Sequence, residues 1–284
     1  MARDSPVFAL LILTMLTRHA LCCTFTITNA CAHPIWPGTL AGAGTPQLGT
    51  TGFRLDSGGS VRVQAPSGWS GRIWARTGCA GNGTCETGDC GGKLECAGMG
   101  ARPPVTLFEV TLGRGVGDDD YYDVSLVDGY NLPVLVAPSG GQGRCDPTGC
   151  ATDLNSGCPK ELQVEGEGGD EGGVVACKSA CNAFGMDEYC CSGEYASPGT
   201  CKPSFYSAVF KRACPRAYSY AFDDGTSTFI CKAFDYTITF CPSINGMKRS
   251  NGMADAQPVK GDSSSSNMLF VLHLPLLLLL MVHF

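Results

Sequence analysis

Residues 79–96 read CAGNGTCETGDCGGKLEC. Four cysteines fall within this stretch, separated by Asn, Gly, Thr and Asp rather than by apolar runs. A segment so poor in hydrocarbon cannot bury enough surface to hold its own shape, so covalent links must do it. Pairing neighbours, Cys79 with Cys85 and Cys90 with Cys96, closes two short loops and is the simplest arrangement. A zinc knuckle is the rival. In C-x5-C-x4-C-x5-C, however, only the middle gap falls within the spacing of structural zinc sites. Disulfides are the reading, and no metal site is expected.

The chain of 284 residues has room for one large β domain or two modest ones. Only 16% of it is charged, with 38 Gly and 17 Pro, so turns are many and long charged helices are not expected. A net charge of −6 offers no basic stripe for phosphates, which argues against nucleic acid as a partner. Eighteen cysteines mean either a metal-rich protein or an oxidised, exported one. The ends decide. Residues 1–23, MARDSPVFALLILTMLTRHALCC, place a basic residue, an apolar run from Val7 to Leu16 and small or polar residues in the order of a secretory signal peptide. Cleavage is expected near Leu21 to Cys23. Loss of Cys22 and Cys23 leaves sixteen cysteines, an even number, as a closed disulfide set requires. At the other end, polar residues Gly261 to Asn267 precede an apolar tail from Met268 to Phe284 with no basic stop. This order suggests that residues 263–284 are a glycosylphosphatidylinositol (GPI) attachment signal. The alternative is a retained hydrophobic tail. Residues 243–262 read as a flexible polar tether.

Between the ends, strand patterns recur. TFTITNAC alternates as an edge strand does, and SVRVQAP and GRIWART read as strands separated by a Ser-Gly turn. VTLFEVTL and YYDVSLVD alternate again, and Tyr121 to Ala137 reads as two strands joined tightly at Asp128-Gly129. From Cys145 the texture changes. A short helix or turn is expected near Ala151 to Leu154, with helices over Val174 to Phe184 and Tyr206 to Cys214. Strand patterns return in AYSYAFDDGTSTFICK and DYTITFCP. The expectation is a mainly β fold, a β-sandwich whose first and last strands share one core. Its core falls at about 24–76, 105–151 and 215–242, with disulfide-rich loops at 77–104 and 152–214.

The chemistry open to such a chain is narrow. Of four histidines, His19 lies in the signal segment and His273 and His283 in the apolar tail, leaving His33 in a proline-adjacent loop. Ser-His-Asp and Cys-His mechanisms are thereby disfavoured, as is zinc catalysis. No nucleotide-binding glycine motif follows a strand, and no cofactor is expected. Carboxylates remain: Glu109 within LFEV, then Asp118, Asp119, Asp120, Asp123 and Asp128. Two of them flanking a glycosidic bond could act as acid and base. Asp118 to Asp120 read more simply as a solvated loop, and Asp128 before Gly129 as a turn residue. Asp123 and Asp128 are an odd number apart, so on one straight strand they point to opposite faces. They share a cleft only if the strand bends or ends between them.

The run GNGTCETGDCGGKLEC, Gly81 to Cys96, resembles the signature of the thaumatin family. RPPVTLFEV, YYDVSLVDGYNLPV, ACKSAC, EYCCSG, CPRAYSYAFDD and DYTITFCP are similar to stretches of plant thaumatin-like, pathogenesis-related proteins. The resemblance runs from about Thr24 to Pro242. It implies a β-sandwich with two smaller disulfide-rich regions and eight disulfides: Cys31–Cys241, Cys79–Cys85, Cys90–Cys96, Cys145–Cys231, Cys150–Cys214, Cys158–Cys177, Cys181–Cys190 and Cys191–Cys201. Sixteen cysteines alone allow roughly two million pairings. The resemblance also implies an acidic cleft, which falls on Arg72, Glu109, Asp123, Asp128 and Asp223, and an adjacent Asp224 competes for the last place. On this assignment two Asp on separate arms of a bent hairpin converge. The function implied is a secreted or cell-surface defence-type protein, antifungal and monomeric, binding β-1,3-glucan or another cell-wall or fungal-surface ligand. Tyr121, Tyr122 and Tyr130 are candidate stacking rings. A weak endo-β-1,3-glucanase, with Glu109 as acid and Asp123 or Asp128 as base or nucleophile, is the enzymatic alternative. An enzyme inhibitor or cell-surface interaction module is the third. Departures from the family pattern are a shortened loop between Cys79 and Cys85, expected to open that edge of the cleft, and Phe108 where Ala is usual. The acidic loop Gly166 to Gly173 and a glycosylation sequon at Asn82 are further ones.

Overall fold

The computed structural model describes residues 21–243, apart from 82, 116, 142–144 and 168–172. Most of the signal segment, the tether, the tail and the sequon Asn82 lie outside the described residues. Two five-stranded sheets face each other, with strands numbered in chain order. The first has the order β3 (Ser60–Pro66), β1 (Leu21–Asn29), β12 (Asp235–Phe240), β7 (Val134–Ser139) and β8 (Thr148–Cys150). The second has the order β11 (Phe229–Cys231), β6 (Asp120–Ser125), β5 (Leu107–Thr111), β4 (Ser70–Arg76) and β2 (Trp36–Ala41). Alternation builds each strand. In β1, Phe25 and Ile27 are wholly buried while Thr26 and Thr28 are partly exposed. The rings of Phe25, Phe108, Tyr122 and Tyr236 meet between the sheets, with centroids 5.3–6.2 Å apart along Phe25–Phe108, Phe108–Tyr236 and Tyr122–Tyr236. Such tilted and edge contacts suit the ring quadrupoles.

Several local expectations are corrected by the pairing. The first strand is not an edge strand: β1 lies between β3 and β12, parallel to β12 and antiparallel to β3. Strands β3 and β4, close in sequence, belong to opposite sheets, and so do β6 and β7. The Asp128-Gly129 turn is therefore a corner between layers and not a hairpin. Gly129 takes φ +89° there, and a Cβ would stand 2.6 Å from the Pro104 side chain. Val174 to Phe184 is not one helix: β10 (Val174–Cys177) pairs with β9 (Gln163–Glu165), and only Ala180–Phe184 (α1) is helical. The turn expected near Ala151 to Leu154 falls slightly later, as a 3-10 turn over Asn155–Gly157. In AYSYAFDDGTSTFICK, Asp224–Ser227 forms a helical turn and only β11 is a strand. Asp120 is not in a solvated loop. It opens β6, is buried, and accepts hydrogen bonds from Gly113 N–H (2.8 Å), Ala233 N–H (3.1 Å) and Tyr236 Oη (2.8 Å).

All eight expected disulfides are present. Three join the segment Cys158 to Cys201, which carries the β9–β10 ribbon, α1 and α2 (Asp187–Cys190). Helix α3 (Phe205–Ala213) follows. Its cap is reciprocal: Ser204 Oγ accepts from Ser207 N–H, and Ser207 Oγ from Ser204 N–H. Two further disulfides hold residues 79–96 against the outer face of the second sheet. There Trp74 and Leu107 are buried with Cys90, Cys96 and Val105 in a satellite core.

Candidate functional site

Residues two apart on a strand share a face, and the outer face of the second sheet is the one that matters. On β4 it carries Arg72, Trp74 and Arg76, on β5 Leu107, Glu109 and Thr111, and on β6 Tyr121, Asp123 and Ser125. The register puts Arg72 opposite Glu109, and Glu109 opposite Asp123. Directly opposed side chains are about 5 Å apart at Cβ, so a guanidinium and two carboxyls form one row across three strands. Arg72 Nε lies 3.6 Å from Glu109 Oε1, with the two side chains 29% and 27% exposed. The disulfide-stapled residues cover the next row, at Trp74 and Leu107, and so wall the cleft on that side.

Two further carboxyls reach this row. Asp128 arrives from the corner after β6, where its carbonyl accepts from Val105 N–H, and its charge acts on Glu109. Asp224, which opens the short helix α4 (Asp224–Ser227), accepts from Tyr218 Oη at 2.8 Å, and its charge acts on Asp123. The Tyr218 segment is itself laid against β6: Tyr218 N–H donates to Val124 O and Leu126 N–H to Tyr218 O. Asp223, the residue expected here, is turned to other work. It accepts from Ser219 N–H (3.0 Å) and Ser219 Oγ (2.9 Å) and pairs with Lys211 Nζ on α3 at 2.9 Å. Asp224 takes its place. Nothing but adjacency in the DD pair signalled this, because the choice depends on where α3 puts Lys211.

The electrostatics follow from crowding. Burial raises the Glu109 carboxyl above its ordinary pKa. Arg72 opposes that shift and Asp128 adds to it. Asp123 is raised further, by burial first and then by Glu109 and Asp224, with Arg72 again opposing. Asp128 is raised by burial against the pull of Arg72. Asp123 Oδ1 is buried and meets no hydrogen-bond donor among the described residues. One guanidinium thus serves several carboxyls that cannot all ionise cheaply.

Of the three candidate stacking rings, Tyr122 and Tyr130 are buried and donate to Asp146 O and Thr152 O, so they are core residues. Tyr121 is 49% exposed, on the same face as Asp123 and opposite Thr111 and Ile230. The shortened loop after Cys79 does not border the carboxyls; it flanks Trp36 at the far end of the same face. His33 is exposed in the loop after β1. Among the described residues no group of His, Cys, Asp or Glu is placed to hold a metal ion, and no helix is long and apolar enough to cross a membrane.

Eight disulfides on a two-sheet sandwich with an acidic cleft define a class, and the sequence comparisons agree on it. The Thaumatin family model matches residues 29–242, and the chain belongs to that family. It is 58% identical over 254 residues to Thaumatin-like protein 1 of Arabidopsis thaliana, covering 84% of this chain and 95% of that protein. It is 54% identical over 223 residues to Pathogenesis-related thaumatin-like protein 3.5 of Cryptomeria japonica (77% and 90% covered). With Pathogenesis-related protein 5 of Arabidopsis thaliana it shares 53% over 247 residues (85% and 100%). Among solved structures, a laminaripentaose-producing β-1,3-glucanase in complex with laminaritetraose aligns with a TM-score of 0.54 at 14% identity, covering 76% of this chain and 98% of that one. That likeness is one of fold.

Proposed function

We propose that this chain is a secreted or cell-surface defence-type protein that binds β-1,3-glucan, or a related cell-wall or fungal-surface polysaccharide, in the acidic cleft. The observation that carries the reading is the partly exposed row Arg72–Glu109–Asp123, extended by Asp128 and Asp224 and flanked by the exposed ring of Tyr121. Carboxyls and a guanidinium suit the hydroxyls of a sugar chain, and an exposed aromatic face suits its C–H surface. The names of the pathogenesis-related relatives support the defence role, and the eight disulfides suit an oxidising, extracellular setting. Attachment to the outer membrane face through a GPI anchor is part of the proposal and rests on the sequence of the tail alone.

A second reading has its own support. Glu109 and Asp123 stand directly opposed on neighbouring strands, two carboxyls on one face as glycoside hydrolysis requires, and burial raises both above their ordinary pKa. In a weak endo-β-1,3-glucanase of this geometry Glu109 acts as the acid and Asp123 or Asp128 as base or nucleophile. A third reading, inhibition of an enzyme or another protein contact, would use the same surface without sugar. The oxidised protein, incubated with insoluble β-1,3-glucan, separates the three when bound protein and released reducing sugar are assayed together. Co-sedimentation without sugar release, weakened in Tyr121→Ala, is the expected result. Sugar release abolished by Glu109→Gln or Asp123→Asn establishes the enzyme instead. Neither binding nor release removes the polysaccharide and leaves a protein partner.

A further inference from the structure

The outer face of the second sheet does not end at the disulfide-stapled wall. Beyond Trp74 and Leu107 the same face finishes in the opposed pair Trp36 and Arg76. A groove of about 350 Å3 opens there, lined by Trp36, Arg54, Leu94, Cys79, Ala80, Gly81 and Gly83, over Arg76. None of the cleft carboxyls lines it. Its volume lies in the range of small-ligand sites.

The chemistry of the groove is the reverse of the cleft's. Trp36 and Leu94, the latter 50% exposed, supply apolar surface. Arg54 lies with its guanidinium carbon 5.6 Å from the centroid of the Trp36 ring. Its partner Asp56, 2.8 Å away, forms with it an ion pair whose side chains are 57% and 73% exposed. Such a pair is held weakly and can be exchanged. Beneath them Arg76 is wholly buried and donates to Trp36 O, Pro37 O, Lys93 O, Leu94 O and Cys90 Sγ. It has no N–H left for a ligand and adds positive charge from below, partly offset by Asp89 and Glu95.

We propose that this groove is a second binding site, for an acidic sugar: a uronate unit of a polysaccharide, its C–H face on the Trp36 indole and its carboxylate on Arg54 in place of Asp56. A neutral glucan would use the ring but leave Arg54 on Asp56. A simple anion would use Arg54 but leave Trp36 and Leu94 in water. A ring with a carboxylate at its edge satisfies both. The site is independent of the acidic cleft and of what that cleft binds.

Titration of the intact oxidised protein with a galacturonate oligosaccharide tests this, with a glucose oligosaccharide of equal length as the neutral control. The expected result is saturable binding of the uronate at low ionic strength, weakened by added salt and by roughly tenfold or more in Arg54→Gln, and unchanged in Glu109→Gln. Trp69 and Trp74 are wholly buried, so protection of indole emission from a soluble quencher on binding reports Trp36. Arg54 is on the surface, and an unchanged melting temperature for Arg54→Gln shows that its effect is on binding. Absence of binding overturns the proposal. So does binding indifferent to Arg54→Gln, equal binding of the neutral sugar, or loss in Glu109→Gln, which would place the uronate in the cleft.

Discussion

At the scale of single residues, Asp123 shows how a crowded, buried carboxyl opposes stability. Its carboxyl pKa is raised on folding, by burial and by the charges of Glu109 and Asp224. The folded chain therefore holds that proton more tightly than the unfolded one. The stability that this group contributes is fully present below the unfolded carboxylate value, near 4, and is lost as pH rises through the folded one. Asp123→Asn is accordingly expected to stabilise the protein at pH 7, on the order of 1 kcal/mol or roughly 2–4 °C. The gain shrinks at pH 4, where the native carboxyl is itself protonated. Thermal unfolding of both proteins at the two pH values checks this, and a destabilised Asn variant at pH 7 would refute the crowding account. Arg76 is the opposite case. Burial lowers its pKa, while Asp89 and Glu95 oppose the shift. Five acceptors hold a charge that could not otherwise be buried. Nothing in GRIWART distinguished Arg76 from Arg72, because on β4 they share one face and differ only in what covers them.

At the scale of elements, the disulfide-stapled wall depends on more than its two bridges. Asp89 is buried and accepts from the N–H groups of Cys85 (2.9 Å), Gly91 (2.7 Å) and Gly92 (2.8 Å). Burial by itself would raise its pKa, but these amides outweigh it and hold the carboxyl below the usual range. The stability it contributes is present above the unfolded carboxylate pKa and is lost as pH falls through the lower folded value. Asp89→Asn is expected to cost about 1–3 kcal/mol at pH 7, with the deficit narrowing in strong acid. Urea unfolding as a function of pH measures it, and a deficit that does not vary with pH would separate the effect from the charge. Glycine matters at a neighbouring contact: a Cβ at Gly38 would stand 2.6 Å from the buried ring of Trp74. The wall can lie flat on the sheet because β2 is bare there.

At the scale of the whole molecule, the two ends of the fold close on each other. β1 and β12 pair in parallel inside one sheet, and Cys31–Cys241 spans 210 residues of sequence. In the loop-entropy account, removing that bridge by Cys31→Ser/Cys241→Ser costs about 5 kcal/mol, whereas Cys79→Ser/Cys85→Ser, with a separation of only 6, costs about 2. Denaturant unfolding of the two double variants gives the ranking. Equal losses would show that the long bridge acts through native contacts and not through the freedom of the unfolded chain.

Composition and local pattern already determined that the chain is an oxidised, mainly β protein: cysteines without hydrocarbon need bridges, and alternation marks the buried face of a strand. The residues of the acidic row came from the family resemblance of LFEV and YYDVS, because the carboxylates read by themselves left several pairings open. The tertiary structure alone decided which strands are partners. Alternation records which face is buried and says nothing of the neighbour, so β3 and β4, or β6 and β7, read as adjacent arms although each pair is split between the sheets. It alone chose Asp224 over Asp223, buried Tyr122 and Tyr130 while leaving Tyr121 in solvent, and left a groove at Trp36. Each of those outcomes rests on contacts between residues far apart in sequence, where local chemistry carries no information.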